Sequence, residues 1–99
     1  MPLNPRQRQF LRRQAHHLKP VVTLGQAGLS EAVAAEADRA LTDHELIKVR
    51  IAAGDRDARA AMSNELARLT AAETVQVLGR VVVLYRAPAE GEPKIALPR

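Results

Sequence analysis

The sequence predicts an α/β domain in the order α-β-α-β-α-β-β, with three helices on a four-stranded mixed sheet. Three observations carry this. Apolar residues recur at helical spacing in three segments and alternate in the stretches between them. Each helical segment opens on a capping residue, Asn4, Ser30 or Asp55. Apolar residues make up 46% of 99 residues, enough for one core that spans residues 1–99 without staples. Helices alternating with strands form layers on a sheet.

The first helix is expected from Pro5 to about His17, because proline is pre-set for the first helical position. Phe10, Leu11, Ala15 and Leu18 gather on one stripe, and Arg8, Arg12, Arg13 and His16 spread over the opposite side. Lys19-Pro20 ends it, since the residue before proline avoids the α region. Val21 to Leu24 is a β-branched strand. Ser30 opens a second helix over roughly 31–42, with Val33, Ala37, Ala40 and Leu41 inward. In residues 45–53, Ile47, Val49 and Ile51 alternate with Lys48 and Arg50, a strand with one buried face. Asp55 caps a third helix to about Thr70, with Ala58, Met62, Leu66 and Leu69 inward. Residues 75–86 read as two strands around Gly79-Arg80, where glycine first suits a type II′ turn. The Pro-rich tail, residues 88–99, is loosely held, with Lys94 to Leu97 able to pack on an edge.

The net charge is +4, and its distribution is uneven. Residues 1–28 hold Arg6, Arg8, Arg12, Arg13 and Lys19 and no acid. The remainder is nearly balanced. A basic cluster beside a glycine loop points to a polyanion, because clustered charge raises the local potential and speeds encounter. Phe10 and Tyr85 are the only aromatic residues, so a base-stacking platform of several rings is excluded. No apolar run reaches the length of a membrane span, and no cysteine is present, so a cytoplasmic protein without disulfides is expected.

The loop Gly25-Gln26-Ala27-Gly28 lies between a strand and a capped helix. Glycines permit close backbone approach and positive φ, and a helix start presents unpaired N–H groups, which together favour a phosphate. The loop lacks the Gly-Lys-Ser/Thr ending of a nucleotide-binding P-loop. His16 and His17 point about 100° apart on a helix and cannot chelate one ion together, so neither metal nor cofactor is expected. Lys48, Arg50 and Arg80 form a second basic set, with Arg86 at a strand end. No nucleophile–base–orienter set is present to support catalysis or a small-molecule substrate.

The segments LRRQAHHLKPVVTLGQAGLSEAV, ADRALTDHELIKVRI, VQVLGRVVVLYR and KIALP resemble, in order and spacing, the CRM domain in its stand-alone bacterial form, the YhbY family. The resemblance runs from about Leu3 to Pro98. It implies a fold similar to the C-terminal domain of translation initiation factor three. It also implies RNA binding and association with precursors of the large ribosomal subunit. Carried over, the resemblance implies Gly25 and Gly28 as the loop, with Arg12, His16 and Lys19 beside it and Lys48 and Arg50 on the strand. With the basic helix, the loop interior and the hairpin turn read above, the expected RNA surface also takes in Arg8, Arg13, Gln26, Ala27 and Arg80. Gln26 departs from the G-K-x-G usual in that family, which removes one charge from the loop.

The expectation is therefore a monomeric RNA-binding ribosome-assembly factor, not an enzyme. Two alternatives stand beside it. One is an architectural DNA binder, which the charge serves equally well. The other is a protein-interaction module docking through the alanine-rich second and third helices, which requires an exposed apolar patch.

Overall fold

A computed structural model describes residues 2–99. Helix α1 runs from Pro5 to Ala15, strand β1 from Pro20 to Leu24, and helix α2 from Glu31 to His44. Strand β2 (Leu46–Ile51), helix α3 (Arg56–Thr70) and strands β3 (Glu73–Leu78) and β4 (Val81–Tyr85) follow. The sheet order is β1-β2-β4-β3. β1 lies parallel to β2, and the other two pairings are antiparallel, so the sheet is mixed.

All three expected caps form. Asn4 and Gln7 make a reciprocal capping box, with Asn4 Oδ1 accepting the Gln7 N–H at 2.8 Å. Ser30 and Asp55 accept from Val33 and Ala58. At the β3–β4 turn φ is positive at Gly79 (57°) and not at Arg80, as type II′ requires.

The sheet separates two cores. On one face, Val22, Leu24, Ile47, Val49, Ile51, Val82 and Leu84 pack under α2 and α3 with Ala37, Leu41 and Leu66. On the other, Leu46, Val75, Val83 and Tyr85 pack under α1 with Leu11 and Ala15. Phe10, Ile95 and Leu97 close the margin of this second core.

Several expectations are corrected. α1 ends at Ala15, so His17 lies beyond it and Leu18 is 37% exposed rather than part of the stripe. On α3 the buried residues are Ser63, Leu66 and Thr70, and Leu69 is 50% exposed. Ser63, Leu66 and Thr70 stand at i, i+3 and i+7, so the buried stripe is centred on Leu66 and Leu69 falls outside it. Glu45, expected in a strand, is the α2 C-cap at φ 66°. The tail is anchored rather than loose. Glu45 accepts the Lys94 and Ile95 N–H groups at 2.8 and 3.1 Å, and Gln7 Nε2 donates to the Pro98 carbonyl at 3.0 Å. It packs on the α1 core and not along a strand edge.

Candidate nucleic-acid interface

α1 covers only part of its sheet face. Cross-strand register places Thr23, Arg50, Val81 and Leu78 side by side in one row on that face, at the end where β1 leaves the sheet. Thr23, Arg50 and Leu78 are exposed and Val81 is half-buried, so this part of the face is open. The covered part lies one row beyond, where Val83 is fully buried.

The basic side of α1 borders the opening. Arg12, Arg13 and His16 share a shallow cleft with His17, Gln76 and Leu78. Lys19 is exposed where the chain turns into β1. Among the described residues, ion pairs engage only Arg8, Arg68 and Arg86. Arg12, Arg13, Lys19 and Arg50 are therefore exposed cations with no acidic partner, an arrangement that favours a polyanion.

The other predicted bases divide. Arg8 donates to the Thr74 carbonyl and lies 3.8 Å from Glu73, which holds it at the N-terminal end of α1 and off the open face. Lys48 is half-buried and its Nζ donates to the Leu18 carbonyl at 3.0 Å, fixing the turn between α1 and β1. Arg80 stands at the hairpin tip, exposed, with Nη1 donating to the Ala52 carbonyl at 2.9 Å. Arg86 is structural, for it contacts Asp38 Oδ1 (2.6 Å), the Thr70 carbonyl (2.8 Å) and Thr42 Oγ1 (2.9 Å).

The glycine loop lies at the same end of the sheet as Arg50 and the hairpin tip. The Ala52 N–H donates to the Leu24 carbonyl and the Ile51 N–H to the Arg80 carbonyl, which ties the three connections together. The loop is a tight turn closed by the Gly28 N–H on the Gly25 carbonyl at 2.9 Å. Gln26 and Ala27 are exposed, and their N–H groups donate to no acceptor among the described residues. The glycines differ. Gly28 has φ 73°, whereas a Cβ on Gly25 would meet nothing within 4 Å. Helix α2 begins three residues after Gly28, with the Ser30 cap on Val33 and Glu31 in its first turn. That carboxylate offsets the positive helix end. Anion affinity at the loop therefore rests on its own N–H groups and the neighbouring cations.

His16 and His17 meet edge-to-face with centroids 5.6 Å apart. Among the described residues no group of three or more His, Asp or Glu side chains is placed to hold a metal. Among the described residues, no helix is long and apolar enough to cross a membrane. Arg56 and Arg59 on α3, which no motif in the sequence marks, also reach the hairpin end of the sheet.

Fold and site thus define a small α/β domain with a border of unpaired cations around a half-open sheet face. The sequence model of the CRS1/YhbY (CRM) domain matches residues 3–86, and the chain belongs to that family. It is 52% identical over 97 residues to an RNA-binding protein of Haemophilus influenzae, covering 98% of this chain and 96% of that one. A Pseudomonas aeruginosa protein named a probable RNA-binding protein is 43% identical, covering 87% of this chain and 83% of its own. The solution structure of a Staphylococcus aureus protein superposes with a TM-score of 0.83 at 33% identity, covering 98% of this chain and all of that one.

Proposed function

We propose that this protein binds RNA through the open face, as a factor acting on precursors of the large ribosomal subunit. The carrying observation is the set of exposed cations without acidic partners, Arg12, Arg13, Lys19 and Arg50, bordering an open face at whose end the glycine loop offers free N–H groups. The relatives' names support RNA as the polyanion. The arrangement reads backbone rather than sequence, since phosphate contacts position a nucleic acid without specifying its bases. Gly25, Gln26, Ala27 and Gly28 approach the backbone, His16 donates beside Arg12 and Arg13, and Arg80 extends the surface at the hairpin tip.

Contacts to roughly 4–6 phosphates give a log–log salt slope on the order of −3 to −5. The test of the cellular role is a sucrose-gradient profile of lysate probed for the protein. Co-migration with large-subunit particles, removed by a high-salt wash, is the expected result. Retention at the top of the gradient at low salt overturns the assembly role.

A further inference from the structure

Opposite the face that α1 covers, α3 and the β3–β4 hairpin enclose a cleft of about 400 Å³. Arg56, Arg59 and Arg80 line it with Ser63, Asn64 and Val77, and none of its lining residues is acidic. From this geometry we infer a second RNA site, in which the cleft takes one nucleotide of a strand that passes around the hairpin tip from the open face. The inference deepens the RNA-binding reading and rests on it.

Two of the three guanidinium groups are held in advance. Arg59 Nη1 donates to the Gly54 carbonyl at 3.0 Å, and Arg80 Nη1 to the Ala52 carbonyl at 2.9 Å. One short loop thus orients both, leaving further N–H groups on each for a phosphate, and a pre-ordered fork loses less freedom on binding. Arg56 carries no ion pair among the described residues. Asp55 and Asp57 flank it in sequence but do not line the cleft, and Asp55 is occupied capping Ala58.

The second observation is independent of charge. Ser63 is 3% exposed, and its hydroxyl has no hydrogen-bond partner among the described residues. Buried hydroxyls are normally paired, and one left unpaired costs stability. Ser63 is also among the residues that line the cleft, so a ligand seated there would bring a partner to a hydroxyl that lacks one. Val77, 58% exposed on the edge strand, supplies an apolar wall against which a base or ribose can lie. A cleft of this size accepts a single nucleotide, within the usual range of ligand sites.

The test uses the intact protein and a short single-stranded RNA of mixed sequence, with inorganic phosphate and uridine monophosphate as separate probes. Arg56→Gln with Arg59→Gln is expected to weaken RNA binding by about 10-fold or more and to make the salt slope shallower by about 1.4, the value for two lost contacts to a single strand. Ser63→Ala is expected to weaken RNA binding by roughly 2- to 10-fold while leaving the melting temperature unchanged or raised, a combination that a structural serine does not give. Arg56→Gln alone, at an exposed position, keeps the test valid if the double variant fails to fold, with a shallower slope again expected. RNA affinity unchanged in Arg56→Gln and Ser63→Ala, while Arg12→Gln/Arg13→Gln abolishes binding, overturns the cleft and leaves the open-face reading intact. Phosphate or the mononucleotide shifting the Arg59 signals without any effect of these variants on RNA affinity overturns it as an RNA site. Wild-type protein that binds no RNA at low salt overturns both.

Discussion

Glu45 holds the tail at Ile95. One carboxyl oxygen accepts the Ile95 N–H at 3.1 Å, the other accepts the neighbouring Lys94 N–H at 2.8 Å, and the side chain is only 1% exposed. The Glu45 carbonyl also accepts the Arg86 N–H at 2.9 Å, so one residue joins the end of α2 to both the start and the far part of the C-terminal segment. Ile95 and Leu97 thereby reach the core under α1.

Removing that carboxyl unfastens the segment. Glu45→Ala is expected to destabilise by about 2–4 kcal/mol, because it leaves two N–H groups unpaired and loosens two apolar side chains. Melting should fall by roughly 10 °C or more for a domain of this size, and amide exchange at Lys94 and Ile95 should rise to that of free chain. Unchanged protection there would contradict the anchoring role.

Tyr85 reports on the same region. Burial raises its phenol above the ordinary value of 10.0, and the Glu45 charge adds a smaller push in the same direction. A phenol whose folded pKa is raised contributes stability that is complete below about pH 10 and is lost as pH climbs through the folded value. Because Tyr85 is the only tyrosine and tryptophan is absent, tyrosinate absorbance follows it alone. The titration should lie above that of free tyrosine, and Glu45→Gln should bring it part of the way back. Ionisation at the free value in the folded protein would show that the ring is not buried.

The two loop glycines should separate stability from binding. Gly28→Ala forces a side chain into φ 73° and is expected to cost about 1 kcal/mol. Gly25→Ala meets no atom and should melt as the parent does, yet weaken RNA binding, because the new methyl stands where the backbone of a ligand approaches. Equal RNA affinity in Gly25→Ala and the parent would remove the loop from the interface.

Two arginines should behave in opposite ways. Arg86→Ala breaks the contacts with Asp38, Thr42 and Thr70 and should destabilise by about 2 kcal/mol with little effect on RNA affinity of the folded protein. Arg50→Ala should leave melting within about 0.5 kcal/mol and weaken binding. Paired denaturation and binding curves on the two variants decide it, and the reverse pattern would exchange their roles.

What the sequence made legible is what depends on neighbours along the chain. Asn4, Ser30 and Asp55 mark the helix starts because a cap needs only its own oxygen and the N–H groups that follow. Gly79 marks the hairpin, and Ile47, Val49 and Ile51 mark the buried face of β2, for similarly local reasons. What stayed hidden depends on partners distant in sequence. Nothing near Arg86 announces Asp38, and nothing near Arg8 announces Thr74 and Glu73. Leu18 and Leu69 fit the apolar spacing of their helices, but α1 ends before the first, and the buried stripe of α3 runs through Ser63, Leu66 and Thr70 and leaves the second outside it. Arg56, Arg59 and Ser63 recur at helical spacing, a signal that becomes readable only once the hairpin is known to lie against that side of α3.

Whether exposed cations on one face hold an RNA backbone is decided by the salt dependence of RNA binding by the parent protein and by Arg12→Gln/Arg13→Gln. The expected result is a log–log slope on the order of −3 to −5 for the parent, shallower by about 1.4 in the variant on single-stranded RNA, with affinity reduced alike on RNAs of different sequence. A slope near zero, or one that the double substitution leaves unchanged, would contradict it.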